Sequence, residues 1–202
     1  MKTILGGVLA LLVVGVALLG WRYYRASILW EGVAPEILSE RLDKDADTMS
    51  VEFASRIDAP TEAVFRAFGE PERSAEFSNF VRYSKLVRSE NNHKVVEFEM
   101  LILGRPQNFT LAFTFFPEER RVAVQTVENP LTDVQGEYRF TPSPDGTKTL
   151  LTYVGTAKDK GKIPLPLALQ KSTLRETFVA TVQALKKGLA AQQQARRAGG
   201  AS

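Results

Sequence analysis

The sequence predicts an α+β fold in which a curved antiparallel sheet of seven strands packs around one long C-terminal helix. Two patterns support this prediction. Apolar and polar residues alternate with a period of two over most of residues 80–156, which is typical of strands with one buried face. Apolar residues then recur every three or four positions from Leu174 to Leu189, which is typical of an amphipathic helix.

The predicted domain begins with one strand and a pair of short helices. Residues 51–57 form the first strand, which ends at a turn before Pro60. Proline favours the first position of a helix, so a helix is predicted to begin at Pro60 and to continue through residues 61–68. Gly69 and Pro71 end that helix, and a second short helix is predicted to run to Phe77.

Six further strands follow, separated by turns rich in glycine, proline, asparagine and aspartate. Their alternation leaves one face apolar and the other mostly solvated, so the long helix is expected to cover one face only. The predicted strands are residues 80–89, 95–102, 109–115, 121–127, 132–141 and 147–156.

The composition excludes several classes of function. The 26 basic and 23 acidic residues are mixed along the chain, which does not indicate a nucleic-acid-binding surface. The chain has no cysteine and one histidine, His93, which lies in a polar turn. No glycine-rich phosphate loop or nucleophile elbow occurs. The sequence therefore predicts no metal site and no cofactor, and it predicts that the protein is not an enzyme.

The N-terminal segment has the pattern of a single membrane-spanning helix. Residues 3–21 carry no charge, and as a helix they would extend roughly 28 Å. A cleaved signal peptide is the alternative, although leucine occupies a position where cleavage requires a small residue. The side of the membrane on which the domain lies stays open. The residues predicted to contact lipid headgroups are Trp21, Arg22, Tyr23, Tyr24 and Arg25.

The segments that flank the domain are predicted to be poorly structured. Residues 22–48 are rich in acidic side chains and are interpreted as a juxtamembrane tether, in which residues 35–42 could form a short helix. Residues 190–202 have no apolar stripe and end in glycines, so a disordered tail is expected. The folded domain is therefore predicted to span residues 49–189.

The inward-facing residues of the sheet and helix are candidates for an apolar ligand cavity. Plain core packing is the alternative for each of them, because any fold must bury such residues. Tyr138, Tyr153 and Thr126 are the polar members, and their hydroxyls could orient the head of a ligand. The remaining candidates are Phe98, Met100, Phe109, Leu111, Phe113, Val124, Leu174 and Phe178.

A lysine-rich loop before the last helix is a second candidate for membrane contact. Lys158, Lys160 and Lys162 precede the apolar residues 163–167, a combination that could rest on anionic headgroups. An ordinary loop before a helix is the alternative.

Three segments resemble the START-like or SRPBCC superfamily, and within it the polyketide cyclase/coenzyme Q-binding branch. They are residues 57–68 (IDAPTEAVFRAF), residues 137–156 with their Pro-Asp-Gly turn, and residues 161–166 (GKIPLP). The resemblance implies a helix-grip fold, with the cavity under the last helix. Members of the superfamily commonly bind lipids, sterols, isoprenoid quinones or polyketides there, and some are enzymes.

The predicted function is therefore membrane-anchored binding, transfer or sensing of a hydrophobic small molecule, such as a lipid, a sterol or hopanoid, or an isoprenoid quinone. The predicted partners are that molecule and the membrane; no nucleic acid is expected and protein partners stay open. A non-catalytic assembly module at the membrane is the alternative, and a filled core with room for a few waters would favour it. A cyclase or dehydratase is the third hypothesis.

Overall fold

The computed structural model describes residues 29–30, 35–78, 81–102, 105–160 and 166–199. Within this part of the chain lie eight strands, a short 3-10 helix at Pro71–Arg73 and three α-helices. The helices are α1 (Thr61–Phe68), α2 (Ser74–Phe77) and α3 (Leu167–Gly199). The strands are β1 (Ser39–Asp45), β2 (Thr48–Ile57), β3 (Val81–Glu90), β4 (His93–Ile102), β5 (Arg105–Phe116), β6 (Arg121–Glu128), β7 (Thr132–Pro142) and β8 (Thr149–Asp159).

All eight strands form one curved antiparallel sheet in the order β1-β2-β8-β7-β6-β5-β4-β3. The helix pair after β2 carries the chain to the opposite edge, from which β3 to β8 return as a meander until β8 pairs with β2. The long helix α3 follows β8. The predicted α+β arrangement of a curved antiparallel sheet with a long C-terminal helix is confirmed.

The sheet has one strand more than the sequence predicted. Residues 39–45 were expected to belong to the tether, yet they pair with β2 from Ser39 opposite Ala54 to Asp45 opposite Thr48. Leu42 and Lys44 are half-buried and alternate with exposed neighbours, which is the period of a strand. The acidic residues did not prevent pairing because their side chains stay exposed.

Helix α3 extends beyond the predicted end of the domain. It continues to Gly199, whereas the sequence predicted disorder from residue 190. Alanine, glutamine and arginine dominate these residues and are strong helix formers, so the helix can continue without a buried stripe. Upstream, the predicted stripe is buried, with Phe178, Val182, Leu185 and Leu189 at most 7% exposed.

The core lies between α3 and the inner face of the sheet. Phe178 of α3 stacks on Phe53 of β2 with ring centroids 4.9 Å apart. Hydroxyl groups position the start of α1, because the Thr149 side chain donates a hydrogen bond to the Ala59 carbonyl at 2.8 Å and contacts Thr61. The helix pair is thereby fixed against one end of the core.

The described helices include none that is long and apolar enough to cross a membrane. The predicted membrane-spanning segment, residues 3–21, lies outside the described residues, as do Trp21, Arg22, Tyr23, Tyr24 and Arg25. Membrane anchoring therefore stays a prediction.

Candidate functional site

A cavity of about 160 Å³, called the front cavity below, lies between the sheet, the helix pair and the C-terminal half of α3. It is larger than the gaps of a well-packed core and smaller than the ~300 Å³ at which drug-sized pockets begin.

Aromatic rings from two neighbouring strands form the sheet side of the front cavity. Phe98 of β4 and Phe109 of β5 stack with ring centroids 5.5 Å apart, and Phe113 meets Phe98 edge-on at 6.2 Å. The period-two pattern of both strands turns these rings to the same face. The structure places in the wall these predicted residues: Phe98, Met100, Phe109, Leu111, Phe113, Val124 and Tyr138.

Small side chains of α3 leave the space that the front cavity occupies. Beside the buried stripe of large residues, one face of the helix carries Thr177, Ala180, Thr181, Ala184 and Gly188, all of which line the cavity. This face was not predicted from the sequence. Its signal is the helical spacing of three and four residues between small side chains, parallel to the large apolar stripe.

The helix pair supplies the charged mouth of the cavity. The Arg73 guanidinium lies 2.8 Å from a Glu70 carboxylate oxygen and 2.7 Å from one of Glu76. It also lies 5.4 Å from the centre of the Phe77 ring. Hydrogen bonds to these carboxylates, that of Glu76 first, raise the pKa of Arg73. These residues were not predicted from the sequence, although acidic residues three positions before and after an arginine are a recognisable signal.

Strands β3 and β4 hold the helix pair in place. Lys94 Nζ donates hydrogen bonds to the Gly69 carbonyl and to Glu72 Oε1, both at 2.8 Å. The Ser84 hydroxyl donates to the Glu72 carbonyl at 2.6 Å and accepts from the Ala75 amide at 3.1 Å. These contacts fix the position of the mouth relative to the sheet.

Tyr138 is the ionisable side chain that faces the apolar part of the front cavity. Its ring lies 4.7 Å from the rings of Phe68 and Tyr153. Although part of the ring is accessible from the cavity, the surrounding apolar atoms desolvate its hydroxyl and raise the pKa of Tyr138 to about 12. A hydrogen bond with the Thr181 hydroxyl opposes this rise.

The raised pKa of Tyr138 predicts a loss of stability at alkaline pH. An unfolded tyrosine has a pKa of about 10, so the folded state holds this proton more tightly. The resulting stability is present below about pH 10 and is lost as the pH rises towards about 12. Urea unfolding at about pH 9 and about pH 11 measures the free energy of unfolding at each pH. Between these two values it should fall more for the wild type than for Tyr138→Phe. An equal fall in the free energy of unfolding of both proteins would contradict the prediction.

The other predicted cavity residues do not line the front cavity. Tyr153 packs beside Tyr138 in the core, Phe178 stacks on Phe53, and Leu174 lines a separate cavity nearer the start of α3. The Thr126 hydroxyl accepts a hydrogen bond from the Val134 amide at 2.8 Å.

The lysines predicted to contact a membrane have acidic partners where the structure describes them. Lys158 Nζ lies 3.6 Å from an Asp47 oxygen. Lys160 Nζ lies 2.7 Å from an Asp133 oxygen and donates to the Asn129 carbonyl at 2.8 Å. Lys162 lies outside the described residues.

Polar groups elsewhere give no indication of a metal centre. Across the described ranges, no group of three or more His, Cys, Asp or Glu side chains could hold a metal ion. His93 begins β4 rather than lying in a turn, and its Nδ1 is 3.1 Å from the Thr114 hydroxyl oxygen.

The fold and the site together define a helix-grip domain with an apolar cavity under its last helix. The chain belongs to the polyketide cyclase/dehydrase and lipid transport family, whose model matches residues 48–193. The sequence gives no match among curated proteins.

Solved structures with low sequence identity share the fold. The Zhui aromatase/cyclase from Streptomyces sp. R1128 gives a TM-score of 0.64 at 16% identity, over 70% of this chain and 93% of that one. The STAR-related lipid transfer protein from Xanthomonas axonopodis (fragment 25–204) gives 0.56 at 16% identity, over 74% and 98%. The di-domain ARO/CYC BexL from the BE-7585A biosynthetic pathway gives 0.59 at 19% identity, over 71% and 50%.

These comparisons contradict the prediction that the protein is not an enzyme. The family description includes cyclases and dehydrases as well as lipid transport, and two of the similar structures are aromatase/cyclases. The prediction rested on missing sequence motifs. The absence of such motifs excludes only chemistries whose residues have a fixed spacing in the sequence. Residues that act together in a cavity can lie far apart in the sequence, because the fold brings them together.

Proposed function

We propose that this protein binds a hydrophobic small molecule in the front cavity, with a ring-sized apolar end inside and a polar end at the mouth. The observation that carries the proposal is a cavity with an aromatic wall that includes the Tyr138 hydroxyl and with the exposed Arg73 in its lining. The family description supports a hydrophobic ligand, since lipids and polyketides are both largely apolar.

The volume of the front cavity limits the part of the ligand that it encloses. An engineered protein cavity of about 150 Å³ accepts benzene, and the front cavity has about 160 Å³. One aromatic ring or a short branched chain therefore fits inside, and any longer part of the ligand extends through the mouth.

The buried hydroxyl of Tyr138 favours ligands with an oxygen on the enclosed end. A hydroxyl can take part in more than one hydrogen bond, so Tyr138, already bonded to Thr181, can also pair with a ligand oxygen and give that ligand higher affinity than a purely apolar one. Phenols and cyclic ketones have the required size and chemistry.

Calorimetric titration of the full chain with 4-ethylphenol tests the proposal, with ethylbenzene as the matched ligand that lacks the hydroxyl. We expect saturable one-to-one binding of both and tighter binding of the phenol. Replacing Tyr138 by phenylalanine should weaken the binding of 4-ethylphenol about fivefold to tenfold and leave the binding of ethylbenzene unchanged. Absence of saturable binding of either ligand would refute the proposed site.

A second candidate function is catalysis of the cyclase or dehydrase type, and Tyr138 is the observation that favours it. With a pKa of about 12 its hydroxyl stays protonated at neutral pH, so it can donate a hydrogen bond to a ligand oxygen that gains negative charge. A Tyr138→Phe variant that binds a β-polyketone unchanged but cyclises it more slowly would support this function.

We also propose that residues 3–21 anchor the protein in a membrane. Their uncharged composition supports this proposal. After an alkaline wash of membranes, the full chain should remain in the pellet and a chain that begins at residue 35 should be released. Equal release of both would refute the anchor.

A further inference from the structure

A second cavity lies under the N-terminal half of α3. This rear cavity has a volume of about 90 Å³. Met49 and Ala157 of the sheet and Thr173 and Leu174 of α3 form its apolar part. Its rim is polar, because Lys44 Nζ donates a hydrogen bond to the Gln170 side-chain oxygen at 3.0 Å.

The front and rear cavities are separated by a thin layer of protein. On α3, Thr177 lines the front cavity and Thr173 lines the rear one, and they are four residues or about 6 Å apart along the helix. On the sheet, Tyr138 lines the front cavity and Ala157 the rear one. Between them in the ladder lies one glycine pair, Gly136 opposite Gly155.

The side chain of Tyr153 lies in this layer, beside its ladder partner Phe53, and is part of the lining of neither cavity. Tyr153 pairs with Tyr138 in the ladder, and their ring centroids are 4.7 Å apart. Its hydroxyl lies above the glycine pair, since a Cβ added at Gly136 or Gly155 would come within 2.7 Å of that oxygen. The ring therefore extends from the level of the front cavity towards the rear one.

The two glycines allow the ring to lie flat on the sheet. A side chain at either position would occupy the volume that Tyr153 now takes, and it would also meet the backbone of the neighbouring strand. Tyr153 itself is 8% exposed, as expected of a ring that packs on the inner face of the sheet.

We propose that Tyr153 is a specificity-determining residue, whose ring separates the two cavities and limits how far a ligand can extend under α3. The inference rests on the proposed function of the front cavity. With tyrosine in place, the enclosed part of a ligand is one ring or a short chain. With a small residue in place, the cavities join, and an unbranched alkyl chain can run from the front cavity into the rear one.

Titration of the full chain with 4-alkylphenols of increasing chain length, from ethyl to octyl, tests this inference. In the Tyr153→Ala variant each added methylene should tighten binding up to about fourfold until the rear cavity is filled. In the wild type the gain should stop after the first methylenes. The ratio of affinities for 4-hexylphenol and 4-ethylphenol should therefore be at least about tenfold higher in the variant.

Three further variants separate this effect from a general loosening of the core. Tyr153→Leu removes less volume than Tyr153→Ala, so its gain in affinity for long-chain phenols should be smaller. It replaces the alanine variant in the test if that variant does not fold. Tyr153→Phe keeps the ring and should keep the wild-type preference. Phe115→Ala removes a buried ring that packs edge-on against Phe65 of α1 rather than on the glycine pair, and it should not alter the length preference.

The outcomes distinguish the inference from the proposed function. If the wild type binds the short phenol and neither the alanine nor the leucine variant gains affinity for long ones, the role of Tyr153 is refuted and the site stands. If only the variants bind, the separation by Tyr153 is supported and the wild-type site is refuted. If no form binds any phenol, both are refuted.

Discussion

Replacing Ala184 by phenylalanine is expected to abolish binding of 4-ethylphenol, with a loss of affinity of at least about a hundredfold. Ala184 lies on the small face of α3 and lines the front cavity. A phenyl ring added there occupies about the volume that the ligand would fill. Because the space already exists, the ring should not overpack the core, and the free energy of unfolding should be unchanged or higher.

Calorimetry and urea unfolding of the same variant test both parts of this prediction. Ala190→Phe is the matched control, because Ala190 is exposed on the same helix and lines neither cavity. It should keep the wild-type affinity. If Ala184→Phe binds 4-ethylphenol as the wild type does, the front cavity is not the binding site.

Replacing Gly155 by alanine is expected to lower the free energy of unfolding by about 3 kcal/mol. The new Cβ would lie 2.6 Å from the Gln135 carbonyl oxygen and 2.7 Å from the Tyr153 hydroxyl. Gln135 belongs to β7, which pairs with β6 and β8, so its carbonyl cannot move without disturbing the ladder. The midpoint of urea unfolding measures this loss.

Gly188→Ala is the control, because Gly188 is a glycine at which the structure has room for a Cβ. Its Cβ would meet the Phe77 ring at 3.6 Å, an ordinary contact. Since Gly188 lies within α3, alanine there should stabilise the protein by up to about 1 kcal/mol. A Gly155→Ala variant as stable as the wild type would show that the sheet adjusts at this point, and it would weaken the account of Tyr153 on the glycine pair.

Local patterns were sufficient to predict most of the fold. The helix predicted to run from Pro60 to residue 68 is found at Thr61–Phe68, with Pro60 directly before it, because its start depends on Pro60 and its end on Gly69, both adjacent in sequence. The strands of the meander were found from the period of their side chains, which is a local property. Strand β1 was missed because its pairing depends on the edge of β2, and its acidic composition indicated a tether.

The sequence by itself determined which side chains face the interior, because alternation along a strand is fixed by the backbone. It therefore predicted Phe98, Phe109 and Tyr138, which the structure places in the front cavity wall. Only the tertiary structure decided where the interior is filled and where it is open. Whether a region is filled depends on the size of the α3 side chain that faces the sheet there. The large Phe178 fills the space over Phe53, whereas the small Ala184 leaves the front cavity open.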